Sequence, residues 1–171
     1  SDVGHATHVA GMIGAVADNS AGIVGAMPFR AKIMAVKIFG LDSSNNITTS
    51  SQYFYNGVQF AYLNGANVIN LSLDSVVNGP DTDSLAQSAV GLAVQHGVTV
   101  ITVIGNADNG ANGQLVDGTT LSSIPGEYST MDGVIGVGSF DAATGQKSYF
   151  SHYSTTYAEI GAPGAIQGTT G

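Results

Sequence analysis

The chain has 171 residues, enough for one domain with a sizeable core. Only 9% of them are charged, 4 basic against 12 acidic, which leaves a formal net charge of -8. Phosphate and anionic lipid are held by clustered Lys and Arg, so neither nucleic acid nor a membrane surface is an expected partner. A hydrophobic content of 43% is too high for a disordered chain.

Residues 5–16 place Val9, Met12, Ile13 and Val16 at helical spacing and predict a first helix. Residues 31–39 form the first of four apolar runs that do not alternate; the others are 67–73, 98–104 and 133–140. Such runs, apolar on both faces, predict parallel strands covered by helices on each side. Between them, residues 48–64 and 83–96 carry apolar positions at helical period and predict two more helices. Thr48 suits the N-cap of the first, Gly65 and Gly97 suit the stops, and His96 suits the negative end of the second. A loop-rich final third follows. This alternation predicts a three-layer α/β fold, with helices on both faces of a mostly parallel, doubly wound sheet, over the single domain 1–171. In such folds ligands bind beyond the carboxyl ends of the strands, which points to residues 39–46, 72–80 and 105–118.

Several chemistries are disfavoured. The chain has no cysteine, so it holds no disulfide and no thiolate nucleophile or metal ligand. Residues 105–110 follow a predicted strand and mimic a phosphate loop, but no Lys-Ser/Thr follows and no Gly-x-Gly-x-x-Gly opens a helix. His5 and His8 lie three apart, without a third strong ligand or a His-Glu-x-x-His pattern, and read as structural rather than metal-binding. Asn46-Ile47-Thr48 and Asn70-Leu71-Ser72 are formal glycosylation acceptors, the second inside a run read as a buried strand. No apolar run reaches the length of a membrane span. A polar, Lys-poor composition fits a secreted protein.

One constellation carries chemistry. Gly4-His5-Ala6-Thr7-His8-Val9-Ala10-Gly11 resembles the histidine motif of the subtilisin-like serine proteases, the subtilases, in which the third position is usually glycine. Companions follow in matching order: Ala35-Val36-Lys37-Ile38, Val68-Ile69-Asn70-Leu71-Ser72-Leu73, Val103-Ile104-Gly105-Asn106, Ile124-Pro125, Gly133-Val134-Ile135-Gly136-Val137-Gly138 and Ala162-Pro163-Gly164. The resemblance spans nearly the whole chain and implies a subtilisin-like fold and serine endopeptidase chemistry.

The resemblance assigns His5 to the catalytic base, which takes the serine proton and passes it to the leaving amine. It assigns Asn106 to the side-chain donor that meets the tetrahedral oxyanion. It implies that an extended peptide pairs with Ser72, Leu73 and Asp74 on one side and Ser43, Ser44 and Asn45 on the other. The primary pocket is then walled by residues 73–75, by Ile104, Gly105 and Asn106, and by Ile124 and Pro125. Asp74 replaces the glycine usual at its position and has two readings: a carboxylate favouring basic or polar substrate side chains, or a solvated loop residue. Residues 16–22 resemble a calcium loop of many subtilases. Val16 and Asn19 are candidate ligands for a structural calcium and Asp141 for a second cation site, against the plain reading as turns. No catalytic cofactor is implied.

The resemblance also places two triad members outside these residues. The aspartate belongs well upstream of the histidine motif, and Asp2 is too near His5 to replace it. The nucleophile belongs to a Gly-Thr-Ser-Met-Ala run after the Ala-Pro-Gly segment, and neither Thr169 nor Thr170 substitutes for it. Two functions follow: a partial catalytic domain of a serine endopeptidase, or a truncated, non-catalytic relative that binds peptide. On the first reading these 171 residues alone are inactive and fold poorly without the remaining N- and C-terminal parts of the domain.

Overall fold

The computed structural model describes residues 4–107 and 110–165. Asp2, Thr169 and Thr170 lie outside the described residues. The chain divides into two compact units, Ser1–Thr49 and Ser50–Gly171.

In the first unit, helix α1 spans His5–Gly14 and starts after Gly4, with the His8 N–H donating to the Gly4 carbonyl at 2.8 Å. Its last carbonyls, which have no partner inside a helix, are met by a returning segment. Ala26 N–H donates to Met12 O at 2.9 Å and Met27 N–H to Ile13 O at 2.8 Å. Gly25 is the residue that lets the two backbones touch: a β-carbon there would lie 2.5 Å from Ala15 N. Residues 31–39 form no strand, contrary to their composition. A β-rich run becomes a strand only where a ladder meets its N–H and C=O groups, and none of the described strands pairs with it. A short hairpin follows, β1 (Gly40–Leu41) pairing antiparallel with β2 (Ile47–Thr48). Thr48 is thus a strand residue and caps no helix.

In the second unit, helix α2 (Ser51–Leu63) is capped by Ser50, whose hydroxyl accepts from Tyr53 N–H at 3.2 Å. Strand β3 (Val68–Leu71) leads through β4 (Ser75–Asn78) to helix α3 (Ser84–Gln95), then to β5 (Thr99–Val103) and β6 (Leu121–Ile124). A 3-10 turn (Gly126–Thr130), β7 (Val134–Asp141) and β8 (Ile160–Ala165) complete the described elements. Strands β3, β5, β7 and β8 form one parallel sheet in that order. The parallel sheet and its helices are the α/β fold expected from the alternating elements.

Helices α2 and α3 pack together, and α3 packs on β5. Phe54, Val58 and Ala61 of α2, and Ala86, Ala89, Val90 and Ala93 of α3, are buried together with Ile69, Leu71 and Val100 of the sheet. His96 closes α3 as expected, its Nδ1 lying 2.7 Å from the Leu92 carbonyl and its ring stacked on Tyr62. The sheet's opposite face differs from expectation: Val68 and Asn70 are exposed, and Ile101 and Val103 are only half-buried. Asn70 therefore does not lie inside a buried strand. The final third is also richer than predicted, because β6 pairs antiparallel with β4 across a separation of more than forty residues (Ser75 opposite Ile124). No helix among the described residues is long and apolar enough to cross a membrane.

Candidate active site

His5 is the first residue of α1 and is exposed. A helix opening places its ring where it is not enclosed by its own turn, as a proton shuttle needs. Among the described residues, no group of three His, Cys, Asp or Glu side chains could hold a metal.

Asn106 stands just past the carboxyl end of β5, on a turn set by Gly105 at φ +95°. That turn is held from several sides. His152 N–H donates to the Gly105 carbonyl at 2.9 Å, and Ala107 N–H donates to Phe150 O at 2.8 Å. Asn106 also makes an isolated antiparallel bridge with Ser151. On the other flank, Asn106 N–H donates to Asp74 Oδ2 at 3.2 Å. The backbone of Asn106 is anchored, while its residue surface is exposed. Anchoring the backbone fixes where the Asn106 side chain leaves the turn, which limits how far its amide must reorganise to meet an oxyanion.

The segments expected to wall the pocket lie close to one another. Ser72, Leu73 and Asp74 link β3 to β4, and the pairing of Ser75 with Ile124 brings them to Pro125. The Ile124–Pro125 peptide is cis. Gly126 lies so close to β5 that a β-carbon there would stand 2.6 Å from Val103 O and 3.0 Å from Ile104 Cα. A β-carbon on Gly105 would stand 2.7 Å from Asp74 Oδ2 and 2.9 Å from both Ser123 Oγ and His152 Cδ2. Ile104 is buried at 2% exposure beneath this cluster. The Ser72 hydroxyl accepts from Asn70 Nδ2 at 2.8 Å, which steadies the start of the edge.

Ser43, Ser44 and Asn45 are placed differently from expectation. They form the tip of the β1–β2 hairpin, with Asn45 left-handed at φ +61°. Asp42 closes this tip: its Oδ1 accepts from Ser44 N–H at 2.8 Å and Asn46 N–H at 2.9 Å, and its carbonyl accepts from Asn45 N–H at 3.1 Å. These hydrogen bonds, led by that from Asn46, hold the Asp42 carboxyl below its usual range. A left-handed Asn45 and the occupied N–H groups of Ser44 and Asn45 do not suit an extended edge at this hairpin tip.

Two neighbours of the turn carried no sequence signal. His152 is buried at 3% exposure, and Gln114 N–H donates to its Nδ1 at 2.9 Å, so that nitrogen bears no proton. Ser123 is fully buried, and its hydroxyl has no hydrogen-bond partner among the described residues. A period-two pattern in Leu121–Ile124 would have been the signal for its strand, but two adjacent serines erase it. Beyond Pro125, an acidic cleft of about 350 Å³ is lined by residues including Asp81, Asp83, Glu127, Tyr128 and Tyr157. Tyr128 donates to Asp81 Oδ2 at 2.6 Å, and burial and then Asp81 push its phenol well above its ordinary value. Burial also raises the Glu127 carboxyl; a Ser122 hydrogen bond opposes this and the Asp81 charge adds to it.

The oxygens suggested for calcium are engaged in their own turns. Asn19 Oδ1 accepts from Ala21 N–H at 3.1 Å, between Asp18 and Ser20, which are both left-handed at φ 58°. Asp141 Oδ1 accepts from Ala143 N–H at 2.8 Å and Thr144 N–H at 3.2 Å, closing the loop after β7. Val16 follows α1 and is exposed. The residues present do not by themselves converge on a cation.

Comparison with known proteins agrees with this geometry. The description of the Subtilase family, peptidase S8, matches residues 1–170. Thermitase of Thermoactinomyces vulgaris is 36% identical over 92% of the chain, and Subtilisin Savinase of Lederbergia lenta 34% identical over 97%. The chain spans about half of these curated relatives, 54% and 53% of their lengths. Among solved structures, the patellamide maturation protease PatA superposes with a TM-score of 0.72 at 26% identity, covering 95% of this chain and 53% of that one. MycP1 with its N-terminal propeptide removed shares the fold at a TM-score of 0.72 and 22% identity, over 91% of this chain and 50% of that one. From its histidine motif, its anchored Asn106 turn and the match along its length, the chain belongs to the subtilase family.

Proposed function

We propose that this chain contributes His5 and Asn106 to a serine endopeptidase that cleaves peptide bonds in protein substrates. His5 serves as general base and then general acid, and Asn106 donates its side-chain amide to the tetrahedral oxyanion. The observation that carries the reading is the Gly105–Asn106 turn, pinned by backbone hydrogen bonds and set against Asp74. The aspartate and serine of the triad lie elsewhere in the full-length enzyme. Covalent labelling of that enzyme by a serine-directed reagent tests the reading, and a labelled enzyme in which His5→Ala abolishes turnover supports it. Asn106→Ala should lower kcat by about 10² to 10³, a magnitude known from a subtilisin and not worked from this structure. Peptide binding without labelling would favour the non-catalytic module instead.

A structural calcium at Val16 and Asn19, completed by residues elsewhere in the full-length enzyme, and a second, weaker cation site at Asp141 are a separate part of this reading. Melting the full-length enzyme in calcium and in chelator tests it, and an unchanged Tm removes it. Secretion is proposed from the Lys-poor composition, and finding the enzyme only inside its cells would refute that.

A further inference from the structure

We propose that Asp74 is a positioning residue for Asn106: its carboxylate grips the Asn106 backbone N–H and thereby sets the direction in which the Asn106 side chain leaves the turn. This inference rests on the protease reading above. Asp74 is the last residue before β4, so it is held by β3 behind and by the β4–β6 pairing ahead. From that fixed place its Oδ2 reaches Asn106 N at 3.2 Å. The same oxygen lies 2.7 Å from the point where a β-carbon of Gly105 would start. The carboxylate therefore occupies the space that a side chain on Gly105 would fill, and the missing side chain makes the grip feasible.

The other contacts of the turn act on its neighbours. His152 holds the Gly105 carbonyl and Phe150 holds the Ala107 N–H. The Asn106 N–H is left to Asp74. A charged acceptor gives the stronger kind of hydrogen bond. The backbone it fixes sets the direction in which the Asn106 side chain leaves the turn, and thereby the region its amide reaches. The carboxylate thus faces the enzyme's own backbone, which turns the charge-selectivity reading of Asp74 into one of geometry.

The test uses the full-length enzyme with Asp74→Gly and Asp74→Asn. Glycine is the residue that resembling sequences carry there, so the first variant should fold; asparagine keeps an acceptor oxygen without the charge. Asp74→Gly should lower kcat about tenfold, equal to about 1.4 kcal/mol, with KM within about twofold. Asp74→Asn should stay within about threefold of the parent. In an Asn106→Ala background, Asp74→Gly should cost less than about twofold more, because the group being positioned is gone. Hydrogen exchange of the Asn106 amide should accelerate in Asp74→Gly, whether or not the enzyme is active. Unchanged amide exchange would overturn the proposal, as would an Asp74→Gly variant altered only in KM or in substrate side-chain preference. Failure of the parent to label with a serine-directed reagent would sink the protease reading and leave the exchange experiment to judge the grip.

Discussion

Replacing Gly105 with alanine should damage stability and turnover together. Gly105 sits at φ +95°, where a β-carbon costs roughly 1–2 kcal/mol from backbone sterics alone. The added methyl would also meet Asp74 Oδ2 at 2.7 Å and both Ser123 Oγ and His152 Cδ2 at 2.9 Å. Asp74 can swing away only by releasing Asn106 N–H, whereas the Ser123 hydroxyl, with no partner to lose among the described residues, can rotate. The His152 ring has the least freedom, because it is buried and its Nδ1 is tied to Gln114 N–H. Forcing a carbon into a packed site of this kind costs roughly 1–3 kcal/mol. The sum is roughly 2–5 kcal/mol, or a fall in Tm of roughly 4–20 °C at about 2–4 °C per kcal/mol. Thermal melting of the full-length enzyme reads the first quantity and steady-state kinetics the second, with kcat falling as the turn shifts Asn106. Adding Asp74→Gly relieves one contact of three and should recover less than half of the lost stability. A Tm within about 1 °C of the parent, with unchanged kcat, would refute the packing argument.

Other expectations concern the surroundings of that turn. Ser123→Ala removes a buried hydroxyl without a partner among the described residues and should stabilise the enzyme by about 1 kcal/mol; a lower Tm would show that the hydroxyl is satisfied. Glu127 has a folded pKa above its ordinary 4.5, so its protonated form favours the folded state. That stability is complete below 4.5 and is lost as pH rises through the raised value. Glu127→Gln should therefore raise Tm at neutral pH, with the gain vanishing in acid; a gain independent of pH would contradict this. Asp83 caps α3 through Ala86 N–H at 2.9 Å and accepts from Ser51 Oγ at 2.6 Å, tying the start of α2 to α3. Asp83→Ala should cost about 1–2 kcal/mol in denaturant unfolding, and a loss of a few tenths would mean that neither bond matters.

Local pattern alone determined the three helices, because apolar spacing and glycine stops act within a few turns of chain. Gly65 and Gly97 end α2 and α3 at φ +84° and +76°, as their place in the sequence implies. The same local content located three strands of the parallel sheet, and the motifs around His5 and Asn106 indicated the family. What pattern could not supply was pairing. Residues 31–39 have strand composition but no ladder, while the plain Ser75–Asn78 and Leu121–Ile124 become strands by meeting each other. Serines 43 and 44 look like a free edge until Asp42 is seen to close them into a turn. Asp74 looks like a loop carboxylate until β4 and β5 set it against Asn106. A hydrogen bond between distant residues depends on where the whole backbone carries each partner, and only the tertiary structure decides that.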